Sequence, residues 1–405
     1  MSALTVVLLL SLLLGMQPVS TDLYLPALPV LSRELGADMA QSQLTLTAML
    51  ISFGLSQLVW GPLSDRIGRR PVLLAGLGLF LLASIGATLA PSMDALISWR
   101  GVQGLALGAS MVGARAVIRD LYQPSDAARM MSKALGGLGL IACFSAPLGG
   151  WLAQQLGWRA ALAAVALFGA IVLALLLLRL RETLRQPDPA ALRPQRLWQN
   201  WRLILGHPTF WCQALISAFS FGGLFTFLSC SSFVFTGQMG MSQSGFGLVM
   251  LTMSLSYISG TFVCRRLLAR LGLRRTIAVA AVLSLGGGIG LAVCAWLELS
   301  SPWSVALPFA FYIMAHGIHQ PCAQSGSVAP FPGAAGTASA WSGCLSMVLA
   351  FANGQTLGWL FGQGWLSPRD AIGWGVLLWS VLIALNAWTA VQRHGEVRPP
   401  PQRQT

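Results

Sequence analysis

Residues 61–73, GPLSDRIGRRPVL, place one aspartate and three arginines between two uncharged apolar runs. Each run has roughly the 20 residues that a helix needs to cross a bilayer. A charged connection this short joins two membrane crossings rather than two elements of a water-soluble core. Gly61 can admit a close neighbour, and Asp65 can cap a helix or pair with arginine. Pairs of surface charges are individually weak, so a cluster formed by Gly61, Asp65, Arg66, Gly68, Arg69 and Arg70 suits a reversible gate.

The rest of the chain has the same character. Its 405 residues are 55% hydrophobic and only 9% charged, against about 25% charged in a soluble domain. Twelve apolar runs fall near residues 4–29, 43–63, 72–90, 95–117, 130–153, 159–178, 208–234, 245–264, 276–296, 303–323, 337–360 and 371–391. The expected fold is therefore an all-α integral membrane protein. Its twelve transmembrane helices form two pseudo-symmetric six-helix bundles. The first 20 residues lack a basic start and read as the first span, not as a cleaved signal.

The net charge of +13 is explained by position. With the N-terminus inside, basic residues collect in the inner connections, among them Arg115, Arg119, Arg129, Lys133, Arg179, Arg181, Arg185, Arg265, Arg274, Arg393, Arg398 and Arg403. Arg33, Arg159 and Arg369 fall outside, and Arg100 falls within span 4. This asymmetry predicts a multi-pass membrane protein with both termini cytoplasmic. It leaves no basic groove for nucleic acid.

The longest polar stretch, residues 179–207, carries Pro187, Pro189 and Pro194 and divides the spans six and six. The domain reading is a first bundle over 1–180, a central loop over 181–207, a second bundle over 208–392 and a tail over 393–405. Leu197–Leu205, with Trp198 and Trp201, has the pattern of a short helix lying on the membrane surface. DRIGRRPVLLAG (65–76) is echoed 204 residues later by ARLGLRRTIAVA (269–280). Two related halves suit alternating access.

Among the twelve acids, eleven fall in connections or tails, and only Asp22 lies within a span. Intramembrane ionisable groups are costly and mark function. In general, burial favours the neutral form of a carboxyl and a nearby guanidinium favours the charged form. A carboxylate at Asp22 can thus exchange a proton, attract a cation or pair with Arg100. Seven scattered cysteines make no C-x-x-C motif, so neither a zinc site nor a disulfide framework is expected. His316 and His319 share a helix face, and no third metal ligand accompanies them. The sole lysine, Lys133, stands between Ser132 and Ala134, so no P-loop exists. H-E-x-x-H and G-x-S-x-G are absent too. No enzyme is expected, and the short connections leave no room for a soluble sensor domain.

The 61–73 loop resembles the signature of the major facilitator superfamily. RGVQG (100–104) resembles its span-4 motif for proton-coupled carriers. SAPLGGW (145–151) resembles its antiporter motif, one residue shorter between Pro147 and Gly149-Gly150. STDLYLPALP (20–29), AVIRDLY (116–122), GWRA (157–160) and the run 317–343 together resemble the Bcr/CflA branch of drug:proton antiporters. The second copy of the loop motif has Ala269 in place of Asp65, which argues against a two-sided clamp.

The resemblance implies proton-coupled efflux of small amphipathic or lipophilic molecules by a monomer, driven by the proton gradient without a cofactor. Asp22 and Arg100 would couple protons. Asp22, Tyr24, Arg100, Gln103, Phe225, Tyr257 and His316 would bind substrate. The 61–70 cluster with Pro147, Gly149 and Gly150 would gate. The alternative is proton-coupled export of a specific metabolite such as an amino acid or sugar derivative.

Overall fold

The computed structural model describes residues 3–122, 124–184 and 186–396. Arg185, Arg398, Arg403 and the tail beyond Glu396 lie outside the described residues, as does the side chain of Arg129. The regular elements of the described residues are all helices, without a strand.

The first half comprises α1 (Ala3–Asp22), α2 (Leu28–Glu34), α3 (Met39–Ile67), α4 (Arg69–Thr88), α5 (Met93–Leu121), α6 (Pro124–Leu156) and α7 (Trp158–Arg179). A surface helix, α8 (Pro194–Leu205), precedes the second half. That half comprises α9 (Pro208–Ser232), α10 (Gln243–Trp296), α11 (Pro302–Val328) and α12 (Ala335–Gly362). The short α13 (Pro368–Asp370), then α14 (Val376–Trp388) and α15 (Ala390–His394), complete it.

Two of these elements need explanation. Helix α10 has 54 residues, about 81 Å at helical rise and far more than a bilayer's thickness. Its backbone turns at Gly272, φ 72° and ψ 178°, a conformation essentially reserved for glycine. The helix is thus two crossings, and they correspond to the expected runs 245–264 and 276–296. The first crossing is also broken. The run expected as one helix over 4–29 ends its α-helix at Asp22, passes through a 3-10 turn at Leu25–Ala27 and restarts as α2. Pro26 and Pro29 cause the break, because neither can donate the i→i−4 hydrogen bond. With α1 and α2 forming one crossing, and α10 two, twelve crossings result.

Alternation sorts the connections to two ends. One end carries the 61–70 loop, the 180–207 segment and most of the arginines, and is called the basic end below. The opposite end carries Arg33, Arg159 and Arg369. Arg115 belongs to neither connection: it lies within α5.

The halves meet along α3 and α12 from end to end, because small residues let the two helices touch. A Cβ on Gly54 would lie 2.5 Å from Met347 Cβ, and one on Gly354 would lie 2.2 Å from Thr47 Cγ2. Helices α6 and α10 meet at the opposite end, where Cβ atoms on Gly150 and Gly247 would strike Gln243 O (2.4 Å) and Ala146 O (2.8 Å).

Candidate functional site

The chain break after Asp22 positions the candidate site. Asp22 ends α1 about two thirds of the way along the first crossing, which runs from Ala3 to Glu34. Ser20, Leu23 and Tyr24 around it are buried, so this carboxylate lies within the protein, half-buried. Its one side-chain partner is Thr21, whose hydroxyl donates to Asp22 Oδ1 at 3.0 Å.

Arg100 on α5 is wholly buried. Its Nη1 donates to Ser20 O (3.0 Å) and Gln103 Oε1 (2.9 Å). Its guanidinium carbon stands 4.6 Å from the centroid of the Tyr24 ring, within cation–π range. Tyr24 Oη bonds Thr45 Oγ1 (2.6 Å), and Gln103 Nε2 donates to Ser84 Oγ (2.8 Å). Arg100 is thus held by a carbonyl, an amide and an aromatic face. Its Nε and Nη2 have no hydrogen-bond partner among the described residues. No ion pair joins it to Asp22 in this conformation, because Tyr24 and Ser20 occupy its near side.

Thr21 also faces the second half. With Gln17, Leu25, Leu46 and Leu50 it lines a small cavity against Phe221, Phe225 and Leu228 of α9. Its volume of about 10 Å³ admits roughly one water. The seam is closed here. Of the expected substrate-binding residues, Phe225 joins the Thr21 wall. Tyr257 and His316 form a separate pair in the second half, ring centroids 5.8 Å apart. His316 Nδ1 bonds Ser220 Oγ at 2.7 Å, whereas His319 Nε2 bonds Ser284 Oγ at 3.1 Å. The two histidines therefore bond different helices, α9 and α10. No cluster of three His, Cys, Asp or Glu among the described residues fits a metal.

The basic end carries the charged cluster. Asp65 pairs with Arg69 (2.6 Å) and Arg119 (3.6 Å), and Arg69 reaches Asp120 of α5 (2.8 Å). All of these residues belong to the first half. The ion pairs tie α3, α4 and α5 together and do not cross to the second half, as a clamp would require. Arg66 is exposed and in no ion pair. Gly61 has ordinary space, its would-be Cβ 3.7 Å from Val112 Cγ1. The close approach of α3 to α5 is made instead by Gly104, whose Cβ would meet Met49 O at 2.0 Å.

Gly68 was expected to gate; the backbone gives it a local duty, with φ 110° and ψ 160°. It ends α3 and lets α4 begin one residue later. Glu182 caps that start. Its carboxylate accepts N–H bonds from Arg69 (2.9 Å), Arg70 (3.0 Å), Thr183 (2.9 Å) and Leu184 (2.8 Å). Burial works against the Glu182 charge, but these four N–H groups outweigh it and hold the carboxyl below its ordinary pKa. Glu182 is a residue that sequence reasoning missed. Arg115 is another: its Nη1 donates to Ser339 Oγ of α12 across the halves.

At the opposite end, Pro147 and Gly150 sit on the seam, and Gly149 between them faces the first half. Gly149 packs on the Leu23 backbone within the first half, its would-be Cβ 2.2 Å from Leu23 O, and Gly150 packs across the halves on Gln243.

Twelve crossings in two halves around a buried arginine and an intramembrane acid define a membrane transporter. The family model of the Major Facilitator Superfamily matches residues 10–354, and the chain belongs to that superfamily. The chain is 29% identical over 342 residues to Multidrug resistance protein D of Escherichia coli K12, covering 84% of this chain and 85% of that one. It is 30% identical over 370 residues to a chloramphenicol resistance protein of Pseudomonas aeruginosa (90% and 84%). A bicyclomycin resistance protein homolog of Haemophilus influenzae is 27% identical over 353 residues (87% and 87%). These relatives bear out the resemblance to the Bcr/CflA branch. In fold, the chain superposes on a D-xylose-proton symporter with a TM-score of 0.75 at 16% identity, covering 95% and 96% of the chains.

Proposed function

We propose that this transporter expels small amphipathic molecules from the cytoplasm of a bacterium in exchange for protons. It would act as a monomer in the inner membrane, with the basic end cytoplasmic and no cofactor. The observation that carries this reading is Asp22: an acid inside the first crossing, bonded among the described residues by the Thr21 side chain and by no ion pair. A carboxyl without a fixed counter-ion can load and release a proton as its surroundings alternate between the two sides. The relatives named for resistance to chloramphenicol and bicyclomycin support a drug-like cargo.

In this reading Asp22 and Arg100 couple protons, and Tyr24, Gln103, Phe225, Tyr257 and His316 contact the cargo. The first bundle covers residues 1–180 and the second 208–392, joined by 181–207 and followed by the tail over 393–405. In an alternating cycle the opposite end parts, Asp22 meets the outer solution and takes a proton, and the cargo leaves. Reclosure delivers the proton inward. One charge moving through 100 mV supplies about 2.3 kcal/mol, roughly a fiftyfold concentration ratio.

The test is drug extrusion from energised cells making the protein. An uncoupler should abolish it. Extrusion that persists with the proton gradient collapsed refutes the coupling.

A further inference from the structure

Helix α8 forms a small apolar cluster of its own, apart from the main core. Ile204 packs there with Phe210 and Ala214 of α9, with Phe331 in the connection before α12 and with Ala338 in the first turn of α12. Trp201 meets Trp341 of α12 edge to face, centroids 5.4 Å apart. Other residues of the same two turns of α12 face the first half, where Arg115 bonds Ser339 and Gln57 lies against Gly343. One side of α12's basic end thus bears on α8, and another bears on the first half.

The outer face of α8 has the composition of a membrane-surface contact. Trp198 is 65% and Leu203 58% exposed, and Arg193 and Arg202 are exposed, with no ion pair among the described residues. Arg196 is engaged by Asp188. The helix also sits beside the start of a long apolar helix, because α9 begins at Pro208 and Trp211 Nε1 donates back to Leu205 O at 2.7 Å. Tryptophan beside free arginine at the boundary matches a leaflet of anionic headgroups.

We propose that α8 docks on anionic phospholipid headgroups and, through Trp201 and Trp341, braces α12 against the first half. The occupant follows from charge: two unpaired guanidinium groups and exposed apolar side chains at one level. The proposal rests on the reading above only for its orientation, with the basic end in the anionic cytoplasmic leaflet.

The test measures lipid binding without cargo. Short-chain phosphatidylglycerol or phosphatidylcholine is titrated into the detergent-solubilised chain and binding is followed by thermophoresis. Phosphatidylglycerol should bind more tightly than phosphatidylcholine. R202Q should weaken that binding about fivefold and R193Q/R202Q further, as expected for surface arginines near anionic lipid. R265Q, a basic-end arginine away from α8, should not. Coupling is read from a Ser342→Cys reporter on α12, whose maleimide labelling above the parent's background should slow when phosphatidylglycerol binds. W341A should bind the lipid normally yet lose that slowing. R193Q/R202Q binding like R265Q would overturn the docking; undiminished slowing in W341A would overturn the brace. Neither result depends on drug transport or proton coupling.

Discussion

Adding one methyl group at Gly150 should favour the conformation open at the opposite end. A Cβ there would sit 2.4 Å from Gln243 O, too close for a contact that cannot rotate away, since the obstacle is backbone. Overpacking of this kind costs about 1–3 kcal/mol. Gly150 and Gln243 belong to different halves, so parting of the halves relieves the clash. The closed state alone bears the cost, and the equilibrium should move by about 5- to 150-fold. Gly149 is the control. Its Cβ would sit 2.2 Å from Leu23 O, but both residues belong to the first half and stay together in either state. G149A should therefore lower thermal stability without changing the balance of states. The assay uses a Leu46→Cys reporter in the closed cavity wall, labelled by an impermeant maleimide from the opposite side. G150A should speed labelling by the stated factor and G149A should not. Equal labelling in parent and G150A, with both folded, would refute the assignment of this seam as the moving one.

Asp22→Asn should insert normally and lose uncoupler-sensitive extrusion in the cell assay; retained extrusion removes the carboxyl from coupling. G68A should lose about 1–3 kcal/mol of stability to backbone strain, with a further loss because its Cβ would lie 2.5 Å from Glu182 Oε2. G272A faces open space and should show the strain alone, so the difference in melting temperature isolates the Glu182 dock. Because the native Glu182 pKa is lowered from 4.5, its contribution is complete above that value and is lost as pH falls through the lower native one. The melting gap between parent and E182Q should accordingly hold steady from pH 7 to about 5 and close below 4.5.

Much of this was legible in the residue pattern. Apolar runs and the sorting of arginines specify twelve crossings, because the bilayer imposes length and charge rules that a soluble core does not. The singularity of Asp22 was equally plain. The helix break beside it was written in LPALP but was read through as one span, since apolar length dominated two prolines. Glu182 left no signal: its partners are backbone N–H groups, which every residue has, two of them on a helix more than a hundred residues earlier in the chain and two on its own loop. Close packing is expected at Gly61, in the loop motif, whereas the structure places it at Gly104. Which of several small residues meets a neighbour depends on where two helices cross, and spacing within one helix does not encode that. The partners of Arg100 were hidden for a related reason, since Ser20 offers its carbonyl and Tyr24 its ring face.

The two halves separate what the loop motif does. Gly68 and Gly272 stand 204 residues apart, the offset of the sequence echo, and both adopt a backbone that other residues resist. In each half an acid beyond the last long helix reaches back to the restart of the third crossing. Glu182 accepts the Arg69 and Arg70 N–H groups, and Glu396 lies 3.4 Å from Arg274. The aspartate–arginine pairing does not repeat, because Ala269 and Leu273 occupy the places of Asp65 and Arg69. The glycine turn persists where those charges are gone, so it serves helix reversal in both halves. The Asp65–Arg69–Asp120 network is an addition to that turn. It fastens α3, α4 and α5 of one half to each other, whereas the contact of Arg115 with Ser339 bridges the two halves.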